Sequence, residues 1–488
     1  MLVDYEYRSN NLILSFINRE GKIKLRYLPW SRPTKFIITG DNDPEKSGRY
    51  VTWDGKSVKE IYTKYPNKYS IYDFIDNLDK EEKDEIYEYS DPDIFFVDIE
   101  NEILDKKPEP HLAESAIQSI SIVNKNKILV IGTEKLDSKQ IESIESDINI
   151  HFKKFETNYI FKYVYYKSEY DLLNNFFNKL VPKMAVITGW NFIDYDWVFL
   201  VARARKIGVD PEVASFTRKL NVPFNFNKMG KQNYAEMPAH RVIVDYMELF
   251  TKWDTSVKVK ESQSLDFVSE KILGLKKVNY EGDLKRLHRE DYKKFVYYNA
   301  VDSCLVQRIH MKMKYVDILY GMAVLGKIKI KDAISTLALT EGILREKLRD
   351  QKNIALIREE REDGNYSSIK GGWVKEPVRG MATWTCCYDF ASLYPTTMRQ
   401  FNISADSYKG QKVKGKDYSI FNGHQLMIDP TDIITLNGSV FRNEVGVVTS
   451  VMGEVYSDRK KWKKVMMEKH EELEVLKREL KELEESPI

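Results

Sequence analysis

Two acidic residues, Asp98 and Glu100, stand two positions apart in an apolar run that begins at Phe95. In a β-strand, side chains two residues apart project from the same face, so both carboxylates converge on one point. Carboxylates that face each other without a cation repel and take up protons, and a shared divalent metal is an economical reason for placing them together. The pair alone is a weak signal, because 74 of 488 residues are acidic and this spacing also occurs at exposed strand ends.

Two further segments supply acidic and phenolic side chains that could act with Asp98 and Glu100. Residues 189–196 read GWNFIDYD before another apolar run, which predicts a strand-to-helix junction with Asp196 at the open edge of a sheet. Tyr298 and Asp302 are four apart in a helical pattern over 290–314, so they share one helix face. Each could singly be a buried polar residue bonded to the backbone. Together, four carboxylates and a phenol suit two-metal phosphodiester hydrolysis, in which one cation activates a water, the other stabilises the leaving 3′-oxygen, and the tyrosine orients the water.

Short apolar runs predict the elements that position these residues. Predicted strands occupy 94–97, 117–123, 128–131 and 184–189, and predicted helices occupy 170–182 and 290–314. Strands in succession, joined later by helices, indicate an α/β sheet. The predicted fold class is therefore α/β and α+β in several domains.

Other segments carry further predictions. Residues 1–95 alternate apolar runs with turn clusters, which favours a small mixed, strand-rich domain. Extended runs around 228–231 predict a β-hairpin within 221–248, and the polar run 358–368 predicts a loop. A strand is expected at 383–388.

The C-terminal segment predicts one long helix. Pro and Gly are absent from 457 to 486, and Ser457 or Asp458 can cap the start of a helix of about 28 residues. An apolar stripe at a/d spacing comprises Met466, Leu473, Leu476, Leu480 and Leu483. A helix with such a stripe needs a partner to cover it.

Composition restricts the class of protein. Lys and Arg number 76 against 74 acidic residues, so the net charge of +2 argues against a globally basic surface but not against a local basic groove. Charged residues make up 31% of the chain and no long apolar run interrupts them, which argues against a membrane protein. The N-terminus lacks a basic, apolar signal pattern, and three cysteines without CxxC spacing fit a reducing compartment without structural zinc.

The acidic segments resemble a known family. Asp98-Ile99-Glu100, the segment from Asn191 to Asp196, and the segment from Tyr298 to Asp302 resemble, in order and separation, the three 3′→5′ exonuclease motifs of family B DNA polymerases. Asn101 replaces the Thr or Val that many relatives have after the first motif. The resemblance implies an RNase H-like exonuclease domain in which Asp98, Glu100, Asp196 and Asp302 bind metal and Tyr298 is catalytic.

A second resemblance lies at 389–396, which reads DFASLYPT and is similar to the polymerase motif DxxSLYPS of the same family. It implies that Asp389 and the Phe390 carbonyl hold catalytic magnesium, and that Leu393 and Tyr394 contact the nucleotide, with Tyr394 excluding a 2′-hydroxyl. Gly371-Gly372 resembles the YxGG segment, although Lys370 departs from it.

Arg459 and Lys463 share a helix face at i,i+4, where a forked cation beside a point cation suits a triphosphate. A solvated basic face is the simpler interpretation of the pair alone. Their placement resembles the fingers helix of the T-even phage polymerases, which binds the incoming nucleotide. The family's motifs KxxxNSxYG and YxDTDS do not occur in the 488 residues. The chain thus resembles the N-terminal half of this family, either split or truncated in the fingers, and polymerisation by it alone is expected to fail.

The resemblance implies the following organisation. The N-terminal domain comprises 1–95 with about 315–370, the exonuclease domain 96–314, the partial palm 371–455, and the first fingers helix 456–488. The expected function is proofreading and half of a replicative DNA polymerase. The alternatives are a stand-alone exonuclease and a non-catalytic DNA-binding scaffold.

The same resemblance implies the partners and the cofactor. The expected cofactor is Mg²⁺ or Mn²⁺. The expected partners are primer-template DNA, a deoxynucleoside triphosphate, single-stranded DNA and a second chain carrying the absent motifs, with a sliding clamp as a further candidate. The expected location is the cytoplasm of a phage-infected bacterium.

Overall fold

The computed structural model describes residues 1–102, 109–221, 234–254, 262–280, 282–351, 354–357, 372–381, 383–412, 419–421 and 424–485. Two compact units make up the chain. The first unit comprises 1–33 and 71–342, and the second unit comprises 34–70 and 343–488.

The strands, numbered along the chain, are β1 (Leu2–Arg8), β2 (Asn11–Ile17), β3 (Ile23–Pro29), β4 (Thr34–Ile38), β5 (Val58–Tyr62), β6 (Ile94–Asn101), β7 (Ile117–Asn124), β8 (Lys127–Gly132), β9 (Ile160–Tyr165), β10 (Val186–Gly189), β11 (Leu220–Asn221), β12 (Met237–Pro238), β13 (Val242–Asp245), β14 (Tyr408–Lys412), β15 (Ser419–Phe421), β16 (His424–Leu426), β17 (Ile433–Ile434) and β18 (Ser439–Phe441).

The α-helices are α1 (Lys68–Asp76), α2 (Lys80–Tyr87), α3 (Ser138–His151), α4 (Glu169–Asn175), α5 (Val198–Lys206), α6 (Tyr246–Trp253), α7 (Leu265–Leu273), α8 (Leu284–Glu290), α9 (Tyr292–Met313), α10 (Tyr315–Gly326), α11 (Thr336–Asp350), α12 (Leu393–Gln400) and α13 (Val447–Glu485).

A six-stranded sheet dominates the first unit, with strand order β13-β10-β6-β7-β8-β9. The pairs β13–β10, β10–β6 and β8–β9 are parallel, whereas β7 runs antiparallel to both β6 and β8. Every residue of β10 and β13 is buried, as expected for parallel strands covered on both faces. The four strands predicted around this sheet are confirmed, with ends shifted by a few residues.

Alternation along β6 separates two apolar cores. Phe96 joins the core that contains α9, while Val97 and Ile99 join the core on the opposite face. The period of two therefore sends Asp98 and Glu100 to the same face as Phe96, towards α9. The helix predicted over 290–314 is confirmed as α9, which packs on β6 and β7.

The predicted helix over 170–182 is only partly correct. Helix α4 ends at Asn175, and a π-helical turn (Phe176–Leu180) and a 3₁₀ turn (Val181–Lys183) complete the segment. Pro182 lacks a backbone N–H and cannot continue an α-helix, which agrees with the 3₁₀ turn at 181–183. Antiparallel pairing of β11 with β12 agrees with the predicted hairpin at its base, whereas 228–231 lie outside the described residues.

Residues 1–93 hold β1 to β5 and the helices α1 and α2, the strand-rich mixture that the alternating pattern predicts. The predicted loop at 358–368 and Gly371 lie outside the described residues. Gly372 is exposed coil.

Two predictions for the second unit are wrong. Residues 383–388 form no strand, because a strand needs a hydrogen-bonded neighbour and no described residue pairs with them. The last helix begins at Val447 rather than at Ser457. Its first N–H groups are satisfied from another segment: Asp406 accepts from Val447 N at 3.0 Å, and Ser404 Oγ accepts from Val448 N at 3.1 Å.

The buried Arg241 joins two connecting segments of the first unit, one at residues 181–184 and one at Ala214. The Arg241 guanidinium donates to the carbonyl oxygens of Ala214, Val181 and Met184 at 2.6, 2.8 and 2.7 Å. Burial lowers the pKa of Arg241 to about 10, while these three acceptors engage its Nε and Nη1 donors.

Arg241→Met is expected to lower the free energy of unfolding by roughly 3 kcal/mol, because the Ala214 and Met184 carbonyl groups lose the guanidinium donor and the Val181 carbonyl keeps only its bond from Met184 N. Arg205→Met is the matched control, since the Arg205–Glu236 pair is partly exposed and such pairs contribute less than about 1 kcal/mol. Urea unfolding followed by tryptophan fluorescence measures both. Equal losses in the two variants would show that Arg241 has no special structural role.

Candidate functional site

The crossing of α9 over β6 assembles a cluster of three carboxylates. Asp98 and Glu100 come from one face of β6, and Asp302 comes from the middle of α9. One carboxylate oxygen from each residue lies within 4.8 Å of the other two. Asp302 is buried, while Asp98 and Glu100 keep partial exposure, so the cluster is reachable from solvent. Hard carboxylate oxygens at this spacing can hold a divalent cation.

Asp196 lies beside this cluster but is turned to the backbone. It sits in a π-helical turn (Ile193–Trp197) between β10 and α5, the predicted strand-to-helix junction. Its Oδ1 accepts a hydrogen bond from Ile99 N at 3.1 Å. Asp196 therefore contacts the backbone of β6, whereas the group of mutually close carboxylate oxygens found among the described residues comprises Asp98, Glu100 and Asp302.

Asp245 fixes the loop that carries Asp196. Its Oδ2 accepts from Ile193 N at 3.1 Å, and its Oδ1 accepts from Met247 N at 2.9 Å at the start of α6. One buried side chain thus joins the end of β13 to the turn after β10. Burial raises the pKa of Asp245 to about 6, and the three backbone donors that it engages oppose this rise.

Lys277 reaches the site from the segment after α7. Its ammonium donates to Tyr298 OH at 3.2 Å and contacts the Asp302 carboxylate. Tyr298 and Asp302 share one face of α9, as predicted. Sequence reasoning missed Lys277, since no motif surrounds it. Its position depends on a tertiary bond from Lys277 N to Asp266 Oδ1 at 2.8 Å.

The charges of the cluster are poorly balanced in the protein alone. Burial, and then the neighbouring Asp302 charge, raises the pKa of Asp98 to about 7. Burial likewise raises the pKa of Glu100 and Asp196 well above their ordinary values, with the Asp98 charge adding to both. Burial also raises the pKa of Asp302, although Lys277 opposes that rise. One ammonium group does not neutralise these carboxylates, so the cluster favours an added cation or protons.

The polymerase-like residues lie in the second unit. A cavity of about 310 Å³ between α12 and α13 is lined in part by Leu393, Tyr394 and Arg459. Phe390 is exposed, and Asp389 precedes α12 outside any carboxylate cluster found among the described residues. Lys463 lies one turn beyond Arg459 on α13 and does not line this cavity. The structure thus brings together three of the six predicted residues.

The described helices include none that is both long enough and apolar enough to cross a membrane.

Comparison with known proteins identifies the protein family of the chain. Residues 57–268 match the family model described as DNA polymerase family B, exonuclease domain, and residues 335–481 match the model described as DNA polymerase family B. Asp98, Glu100 and Asp196 lie in the first range. Tyr298 and Asp302 lie between the two ranges.

Curated relatives agree with these matches. The chain is 26% identical to the DNA-directed DNA polymerase of Escherichia phage RB69 over 327 residues, which cover 65% of this chain and 35% of that protein. It is 23% identical to the DNA-directed DNA polymerase of Enterobacteria phage T4 over 330 residues, with the same coverages. Identity with DNA polymerase 1 of Sulfurisphaera ohwakuensis is 25% over 356 residues, or 68% of this chain and 37% of the relative.

The two matched models define a chain with an exonuclease domain of the family B type. It belongs to DNA polymerase family B. The chain spans about a third of the length of the curated relatives it matches.

Asp98→Asn is expected to stabilise the metal-free protein. The folded-state pKa of about 7 lies above the ordinary 3.8, so the Asp98 carboxyl destabilises the fold fully above about pH 7 and not at all below about pH 4. In EDTA at pH 8, the variant should gain on the order of 2–4 kcal/mol in the free energy of unfolding, and the gain should shrink at pH 5. Urea unfolding at both pH values measures it, with exposed Glu142→Gln as control. A variant no more stable than the wild type at pH 8 would contradict this account of the cluster.

Proposed function

We propose that the first unit is a metal-dependent 3′→5′ exonuclease that removes nucleotides from single-stranded primer ends, as the proofreading part of a replicative DNA polymerase. The observation that carries this proposal is the convergence of Asp98, Glu100 and Asp302 within 4.8 Å, beside Tyr298. The proposed fold of this domain is RNase H-like. The sheet order β13-β10-β6-β7-β8, with only β7 reversed among these strands, supports that assignment.

The donor set fits Mg²⁺ or Mn²⁺. Asp302 Oδ1 is buried without a hydrogen-bond partner among the described residues, which leaves a carboxylate oxygen ready for a cation. In the proposal, Asp98, Glu100, Asp196 and Asp302 are the metal ligands. Cations held by these residues would supply a site for activating a water and for neutralising the charge that develops on the phosphodiester.

The residues around the ligands hold the reacting groups. Tyr298 presents its hydroxyl beside the carboxylates and orients the attacking water. Lys277 donates to both Tyr298 and Asp302, so it fixes the two side chains relative to each other. Attack by the water on the terminal phosphodiester breaks the bond to the 3′-oxygen of the preceding nucleotide and releases a nucleoside 5′-monophosphate.

Asp98→Ala combined with Glu100→Ala is expected to abolish magnesium-dependent degradation of single-stranded DNA, because two carboxylate ligands are lost. A gel assay with a 5′-labelled oligonucleotide measures the rate. The matched control, Glu81→Ala with Glu142→Ala, removes two exposed carboxylates of α2 and α3 and should degrade DNA at the wild-type rate. Undiminished degradation by the first double variant would refute the assignment.

In the same proposal, the second unit supplies part of a polymerase site. Asp389 and the Phe390 carbonyl bind magnesium, Leu393 and Tyr394 contact the nucleotide, and Arg459 and Lys463 bind its triphosphate. The match of 335–481 to the family's polymerase model supports this, as does the cavity that places Tyr394 near Arg459. The proposed domains are those expected from the sequence: 1–95 with about 315–370, 96–314, 371–455 and 456–488.

The proposal includes a second chain that carries KxxxNSxYG and YxDTDS and completes the polymerase. The C-terminal part of α13 exposes four leucines in one stripe, Leu473, Leu476, Leu480 and Leu483, with exposed fractions of 47–73%. An apolar stripe of this kind on a helix is typical of a surface that another helix covers. The second chain would begin with the antiparallel helix of the fingers. It would also contribute the carboxylates that complete the polymerase metal site beside Asp389.

A chain expressed from the neighbouring reading frame and containing those two motifs should co-elute with this chain in gel filtration and extend a primer with magnesium. Leu476→Glu with Leu480→Glu should separate the two chains, because charges enter an apolar interface, and should leave degradation of single-stranded DNA unchanged. Arg478→Glu, a charge change away from the leucine stripe, is the control and should keep the complex. Independent elution of the two wild-type chains would contradict the split form and favour a stand-alone exonuclease.

A further inference from the structure

Asn299 is a fully buried amide at the centre of the carboxylate site. It follows Tyr298 on α9 and faces the sheet. Its Nδ2 donates to Asp98 Oδ2 at 2.7 Å. Its Oδ1 accepts from the Ser119 hydroxyl at 3.1 Å. Ser119 lies on β7 directly opposite Glu100. Two hydrogen bonds thus connect Ser119 to Asn299 and Asn299 to Asp98 of the cluster.

The direction of these bonds matters because an amide has one donor end and one acceptor end. With the Ser119 hydroxyl donating to Oδ1, the Asn299 amide presents its NH₂ group to Asp98. The reversed amide would place an oxygen against the Asp98 carboxylate, where two acceptors repel. The Asp98 carboxylate, which can only accept, therefore selects this orientation, and the Ser119 hydroxyl holds the amide oxygen on the other side.

One carboxylate oxygen of Asp98 thus accepts a hydrogen bond from within the protein. Oδ2 is held by Asn299, and Oδ1 is the oxygen that Asn299 leaves unengaged. A carboxylate held through one oxygen binds a cation through the other, in a fixed direction and without the cost of ordering the side chain at the moment of binding.

We infer that Asn299 is a positioning residue that orients Asp98 for the cation, and that Ser119 holds the Asn299 amide in place. The inference rests on the proposed exonuclease function, because it concerns the cation of that site.

A neighbouring serine provides a matched control. The Ser121 hydroxyl donates to the backbone carbonyl of Asn299 at 3.0 Å and contacts Ser303. Ser121 lies opposite Asp98 on β7 and is buried, as Ser119 is. It joins α9 to the same strand but does not touch the Asn299 amide group, so Ser121→Ala removes a similar buried hydroxyl without freeing the amide.

The test measures Mn²⁺ binding by calorimetry in the full chain, and the Mn²⁺ concentration that gives half-maximal cleavage of a single-stranded oligonucleotide. Asn299→Leu keeps the branching and the number of side-chain heavy atoms but removes the hydrogen bonds of the amide, and it should weaken Mn²⁺ binding roughly 10–100-fold. Ser119→Ala should weaken it by a smaller factor, and Ser121→Ala by less than about twofold. KM for the oligonucleotide at saturating Mn²⁺ should stay unchanged in all three, as expected for a residue that acts on the cation rather than on DNA.

The outcomes separate this inference from the proposed function. Wild-type Mn²⁺ affinity in Asn299→Leu, or in Ser119→Ala if Asn299→Leu does not fold, would overturn the role of Asn299 while leaving the exonuclease in place. Equal losses in Ser119→Ala and Ser121→Ala would also overturn it, since packing alone would then explain the effect. A wild-type chain that neither binds Mn²⁺ nor cleaves DNA would overturn both.

Discussion

Repulsion between carboxylates that are largely removed from water is the constraint on which the first unit depends. Asp98, Glu100 and Asp302 bring like charges within 4.8 Å, and Asp196 adds a fourth close by. A fold does not gain stability from such a group, because burial and like charge both disfavour the ionised form. The surrounding architecture therefore has to hold the carboxylates together against their repulsion: β6 fixes two of them, α9 brings the third, and Lys277 supplies one compensating charge.

The bonds that hold the ligands come from elements distant in sequence. Asn299 reaches Asp98 from α9 and is held in turn by Ser119 of β7, whereas Asp245 reaches the Asp196 turn from the end of β13. Each uses a buried polar group whose hydrogen bonds are directional, so the Asp98 carboxylate is fixed in orientation and the turn that carries Asp196 is fixed in position. Such preorganisation is what a metal-dependent hydrolytic site requires, since an oxygen that is already in place binds a cation more tightly than one that must be ordered.

Much of this arrangement could be predicted from the sequence, because it depends on local periodicity. Asp98 and Glu100 share a face through the two-residue repeat of a strand, and Tyr298 and Asp302 share a face through the helical repeat. Lys277 could not be predicted, since its place depends on a loop that is tied to Asp266. The backbone bond from Ile99 to Asp196 is equally a product of tertiary packing. In the second unit, the helix start at Val447 depends on Ser404 and Asp406, which accept hydrogen bonds from its first N–H groups and which no local pattern around Ser457 reveals. The predicted strand at 383–388 failed for the related reason that strand formation depends on a neighbour.

The central claim is that Asp98, Glu100 and Asp302 together bind a divalent cation. Anomalous diffraction at the manganese edge, from crystals of the full chain grown with Mn²⁺, tests it most directly. The account predicts an anomalous peak at metal-ligand distance, roughly 2.0–2.6 Å, from carboxylate oxygens of all three residues. A crystal in Mn²⁺ with ordered side chains at this crossing and no anomalous peak between them, or with Lys277 still contacting Asp302 in place of the ion, would contradict it.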